Sequence, residues 1–218
     1  MERVNEDAVR TRIADSILVK ARMLEDAALI QLVVRVAEEC TEALERGNRI
    51  LFAGNGGSAA DAQHLAAELV SRFAFDRRGL AGIALTTDTS VLTAVSNDYG
   101  YEQVFRRQLE AHGRSGDVFV AISTSGNSPN ILEALQAARA LGIRSVGLTG
   151  AAGGRMAALC DFCLRVPAED TARTQECHIL LGHVLCGLIE QAMFGRGGRH
   201  AGDRIGRGTG HAAALGGS

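Results

Sequence analysis

Over residues 1–47, apolar side chains recur every three to four positions: Ile13, Ile17, Leu24, Ala28, Leu32, Val36 and Cys40 form one stripe, with charged faces between. That spacing predicts helix. The period then changes. RILFAG (49–54), GIALTT (82–87), DVFVAIST (117–124), RSVGLTG (144–150) and DFCLRV (161–166) are short, β-rich runs bounded by Gly, Asp, Ser or Thr. Helical patterns lie between them, at 58–73, 89–96 with 101–112, 129–141 and 153–159, and a long amphipathic helix is predicted at 171–193. Short strands alternating with helices predict an α/β fold, a parallel sheet covered on both faces. Residues 195–218 break the pattern, with nine glycines, four arginines and one aspartate. We read 1–194 as one domain and 195–218 as a disordered Gly/Arg-rich tail.

Composition narrows the function classes. A chain of 218 residues with 46% hydrophobic and 22% charged side chains can build a sizeable core. Apolar runs such as Ile179–Leu181 and Val184–Ile189 fall short of the roughly 18 residues that span a bilayer. The charged N-terminus, MERVNEDAVRTR, does not resemble a signal peptide, so a cytoplasmic location is expected. The net charge of −2 gives no electrostatic footprint for nucleic acid. The tail carries +3, however, and a phosphate- or nucleic-acid-binding tail is the alternative to an inert one. Lys20 is the sole lysine and lies in a helical segment without a glycine loop. Schiff-base chemistry and a Walker loop are thereby excluded. The five cysteines, Cys40, Cys160, Cys163, Cys177 and Cys186, read as free thiols, with Cys160-x-x-Cys163 structural and not redox-active.

Three constellations carry candidate chemistry. AGNGGSAADAQH (53–64) is a glycine loop between a strand and a helix. Its Gly54-x-Gly56-x-x-Ala59 spacing imitates the dinucleotide fingerprint, but Asp88 lies 34 residues after Gly54, where an acid is wanted about 20 residues on. What remains is a helix N-terminus that attracts anions, with Ser58 as a candidate cap. STSGNSPN (123–130) has the same context, with Pro129 at the first helical position. Ser123, Thr124, Ser125 and Ser128 supply four hydroxyls where a cap needs one or two, which points to a phosphate cradle. No G-x-S-x-G elbow marks a serine nucleophile. The third constellation is ionisable. His64 and Glu68 share a helix face at i,i+4, and Gln175 and His183 are two such steps apart on the last helix. That set suits a metal, or an acid and base pair. His112 and His178 read as surface or interface residues.

AGNGGSAADAQHLAAELVSRF, LTTDTSVLTAVSNDYGYEQVF, ISTSGNSPN and TARTQECHILLGHVLCGLIE together resemble the phosphoheptose isomerases of the sugar isomerase (SIS) fold, over about residues 5–194. The resemblance implies a three-layer sandwich with a five-stranded parallel sheet of flavodoxin-like topology. It implies a homotetramer with active sites at subunit interfaces. The reaction implied is sedoheptulose 7-phosphate to glycero-manno-heptose 7-phosphate, opening the synthesis of ADP- or GDP-heptose for lipopolysaccharide, capsule or another product. By the same resemblance, His64, Glu68, Gln175 and His183 hold one zinc ion per subunit, and Glu68 and His183 are the catalytic pair. Ser123, Thr124, Ser125 and Ser128 match the phosphate loop. Asn55, Gly56, Gly57, Ser58, Arg72, Asp98 and Gln175 match sugar-contacting positions. The Gly/Arg-rich tail lies outside the family core. Two alternatives stay open: an isomerase of another ketose phosphate, and a non-enzymatic SIS regulator that binds a replication initiator.

Overall fold

The computed structural model describes residues 4–195. Two helices, α1 (Glu6–Glu25) and α2 (Ala27–Glu45), form the N-terminal segment. The break falls at Asp26, whose carboxylate accepts from the Leu29 amide at 3.0 Å and so starts a second helix. Five strands follow: β1 (Ile50–Gly54), β2 (Gly82–Ala84), β3 (Val118–Ile122), β4 (Arg144–Thr149) and β5 (Phe162–Arg165). All pairings are parallel, in the order β2-β1-β3-β4-β5, the doubly wound order expected for a flavodoxin-like sheet. Helices α3 (Gly57–Val70), α4 (Thr89–Tyr99), α5 (Val104–His112), α6 (Pro129–Ala140) and α7 (Thr171–Phe194) complete the layers.

The central strands are apolar at every position because both faces are covered. β1 and β3 are buried along their whole length. Alternate residues feed two cores. Ile50, Phe52, Val118, Val120 and Ile122 pack with α2, α3 and α7 through Val36, Leu65 and Leu181. Leu51, Ala53, Phe119 and Ala121 pack with α5 and α6 through Phe105, Leu109, Ile131 and Leu135. Each large side chain so buried contributes about 1.5–3 kcal/mol relative to exposure. Although α7 is long and apolar enough to cross a membrane by those measures alone, nine of its residues are buried within the protein, and it serves as a core helix.

Several boundaries differ from expectation. The helix expected over 153–159 is only a 3₁₀ turn at Arg155–Ala158, begun by two successive glycines at positive φ. β2 stops at Ala84, and Thr87 turns back through its hydroxyl onto the Ala84 carbonyl at 3.2 Å. α3 ends at Val70, three residues early. The expectation of a disordered tail falls, apart from Gly195, outside the described residues.

Candidate active site

Because β1 leads into α3 on one side of the sheet and β3 leads into α6 on the other, a crevice opens at the carboxyl ends of β1 and β3. The two loops singled out by sequence form its walls. At Gly54 a Cβ would lie 2.5 Å from the Ser58 carbonyl oxygen, so glycine alone lets the helix start this tightly. Gly56 has φ +56° and occupies the cap position. Ser58 is buried in the first turn and is not the cap, a correction to the sequence reading. No side chain caps α3; the Ser58 and Ala59 amides instead donate to the Asn55 and Gly56 carbonyls, each at 3.0 Å.

In the second loop Pro129 does open α6. Ser128 is the cap residue, but its hydroxyl makes no capping bond and instead meets the Ser123 hydroxyl at 2.9 Å. The Ser125 hydroxyl accepts from the Asn127 amide at 3.2 Å, while Thr124 is half-buried beside it. Gly126, at φ +66°, has the Gly153 carbonyl where a Cβ would sit. A bridge between the loops escaped sequence analysis. Asn55 and Asn130 exchange two amide hydrogen bonds, at 2.9 and 2.8 Å, and the Tyr101 hydroxyl donates to Asn55 at 3.1 Å. Asn130 lay inside the quoted motif, yet nothing in the sequence paired it with a residue 75 positions away.

The ionisable cluster sits where α3 crosses α7. The His64 and His183 Nε2 atoms are 2.9 Å apart, and the Glu68 carboxylate is 3.2 Å from His64 Nε2. One potential ligand atom from each of the three residues lies within 4.8 Å of the others. Gly182 permits the close crossing, since a Cβ there would lie 2.5 Å from Leu65. Gln175, two turns before His183, reaches the glycine loop, and a Cβ on Gly57 would meet its amide nitrogen at 2.7 Å. Two imidazole nitrogens and a carboxylate oxygen are donors of the kind that zinc takes. Bound donors in a tetrahedral site stand about 3.3 Å apart, near the separations seen. His64, Glu68 and His183 could together hold a metal ion.

Asp61, one turn before His64, was also missed. Its Oδ2 is buried with no hydrogen-bond partner, and burial raises its carboxyl above the ordinary range, against the pull of His64 and His183. Other expected residues lie further out. Arg72 is exposed just beyond α3. Asp98 is exposed on α4 and accepts from the neighbouring Asn97 at 2.8 Å. His112 is exposed, as expected. His178 is not a surface residue: it is fully buried, and neither ring nitrogen has a partner at full hydrogen-bond geometry. Burial pulls its pKa down to about 4, only partly offset by the Thr149 backbone. All five cysteines are free thiols, and burial raises Cys160 and Cys163, which removes the thiolate character a redox pair needs.

Known proteins share this sequence and fold. The SIS domain family matches residues 18–150. A phosphoheptose isomerase of Aneurinibacillus thermoaerophilus is 57% identical over 188 residues, 86% of this chain and 95% of its own. Phosphoheptose isomerase 2 of Campylobacter jejuni is 56% identical over 197 residues, 90% of this chain and 98% of its own. Among solved structures, the phosphoheptose isomerase of Neisseria gonorrhoeae superposes with a TM-score of 0.80 at 46% identity, covering 85% of this chain and 98% of that one.

Proposed function

The chain belongs to the SIS-domain family, among its phosphoheptose isomerases and so among aldose–ketose isomerases, and on that premise we propose that it converts D-sedoheptulose 7-phosphate to D-glycero-D-manno-heptose 7-phosphate through an enediol. This step opens the synthesis of ADP- or GDP-heptose. The observation that carries the reading is the meeting of Glu68, His64 and His183 beside a glycine loop, with a hydroxyl-rich helix N-terminus across the crevice.

The hydroxyls of Ser123, Thr124, Ser125 and Ser128 and the α6 N-terminus take the phosphate. Asn55, Gly56, Gly57, Ser58 and Gln175 line the path of the sugar toward α3. Ketose-to-aldose conversion moves a proton between adjacent carbons and another between their oxygens. Glu68 takes a proton from C1, exchanges it with solvent and delivers a proton to C2, while His183 shuttles a proton from O1 to O2. The same geometry allows the two to exchange roles. His64, Glu68, Gln175 and His183 would hold zinc, which when bound supplies a Lewis acid that polarises the carbonyl and stabilises the enediolate. Chelation should then abolish turnover, and zinc should restore it.

The exposed apolar residues Val9, Ile13 and Ile17 on α1 and Leu180, Val184 and Leu188 on α7 support a homotetramer. The exposure of Arg72 and Asp98 suits a site completed between subunits. A cytoplasmic location completes the reading. The test is a substrate panel followed by NMR. Sedoheptulose 7-phosphate should be isomerised with a kcat/KM at least ten-fold above that for fructose 6-phosphate or xylulose 5-phosphate. A preference for a shorter ketose phosphate would overturn the heptose assignment.

A further inference from the structure

Glu190 lies seven residues after His183, two turns along the same face of α7. Its side chain is 1% exposed and that of its partner Arg77 is 2% exposed. Oε1 of Glu190 accepts from Arg77 Nε at 2.9 Å and from the Phe73 amide at 2.8 Å, and Oε2 accepts from the Ala74 amide at 2.7 Å. Arg77 spends its remaining donors on backbone. Nη1 reaches the carbonyls of Leu69 at 2.7 Å, Ser71 at 3.1 Å and Arg78 at 3.0 Å, and Nη2 reaches the Glu68 carbonyl at 2.9 Å.

Carbonyls at a helix C-terminus lack intrahelical partners, and a buried guanidinium satisfies several of them here at once. A buried ion pair is a poor way merely to fill space, because desolvation opposes it and apolar residues would pack as well. This pair instead dictates the course of residues 68–78. Glu68 stands at the start of that segment and Arg72 within it. The groups flanking Arg72, the Ser71 carbonyl and the Phe73 amide, are each gripped by one member of the pair. The same grip brings the Phe73 ring to 5.9 Å from the His183 ring, and a Cβ on Gly187 would touch that ring at 3.2 Å.

We propose that Arg77 and Glu190 are positioning residues: their buried pair ties the end of α3 to α7, sets the separation of His64 and Glu68 from His183, and presents Arg72 to the substrate. The proposal rests on the reading of those four residues as the site. Burial works against the charged form of Glu190, but the two amides and Arg77 outweigh it and hold the carboxyl below its ordinary range, so the tie is ionic at neutral pH.

The test uses the full chain and two variants, Glu190→Gln, which keeps the shape and removes the charge, and Glu190→Asp, which keeps the charge on a shorter arm. Zn2+ affinity is measured by competition with a chromophoric chelator, and kcat and KM are measured with sedoheptulose 7-phosphate. We expect Glu190→Gln to keep its circular dichroism while Zn2+ affinity and kcat/KM each fall at least ten-fold. Glu190→Asp should lie between it and the parent. If Glu190→Gln does not fold, Glu190→Asp alone must show both losses. A lowered melting temperature with parental Zn2+ affinity and parental kcat/KM would overturn the proposal and leave the pair a brace of the fold. Should the parent bind Zn2+ without turning over the sugar, the substrate reading fails and the Zn2+ arm still decides. Should it turn over without Zn2+, the kinetic arm decides.

Discussion

Glu68 and His64 meet because four residues make slightly more than one helical turn, and the observed contact of 3.2 Å is what the sequence spacing predicted. Replacing Glu68 with Gln keeps volume and hydrogen bonding but removes the base. We expect kcat to fall by about 10²–10⁴-fold, with unchanged circular dichroism, in steady-state assays of the purified variant. His178 shows the opposite case. Its residue type was visible, but α7, expected to be amphipathic, shows little separation of apolar and polar faces, so periodicity could not say that this ring faces inward. Its pKa of about 4, below the ordinary 6.5, means that the unfolded chain binds the proton first as pH falls. The sign is therefore a loss of stability between pH 6.5 and 4. Denaturant titrations at pH 7 and pH 5 should differ by on the order of 2 kcal/mol. The part of that difference due to His178 should vanish in His178→Phe. Asn130 and Glu190 were illegible for another reason: their partners lie 75 and 113 residues away, and no local pattern encodes such pairs.

At the level of elements, period and punctuation located the strands well, because strands buried on both faces read as continuous apolar runs between polar boundaries. Ends were less legible. Val70 closes α3 where Arg77 arrives from the following loop to take its carbonyls, a tertiary contact that outweighs local helix propensity. The β3–α6 loop depends on Gly126, where a side chain would meet both a positive φ and the Gly153 carbonyl. Gly126→Ala should therefore cost about 1–3 kcal/mol of stability in a thermal or denaturant melt. Because Ser123, Thr124, Ser125 and Ser128 share that loop, KM for the sugar phosphate should rise more than kcat falls. A parental KM would remove the loop from phosphate binding.

On the scale of the molecule, the alternation of strands and helices implied a parallel sheet, but the strand order came only with the family resemblance. That order separates α3 from α6 and makes the crevice. Assembly is a matter of surfaces, and the outward apolar residues of α1 and α7 are where it should show. Light scattering should return four times the 23.0 kDa chain mass, about 92 kDa, and Ile17→Glu or Val184→Glu should lower it. At the centre of the chemistry is the transfer of a proton by Glu68 and His183 through an enediol. It is tested by incubating the protein with sedoheptulose 7-phosphate in D2O and following the sugar by NMR. The expected product is an aldoheptose 7-phosphate carrying deuterium at C2, with no such product from Glu68→Gln. Turnover by Glu68→Gln at the parental rate, or no aldose from the folded parent supplied with zinc, would contradict it.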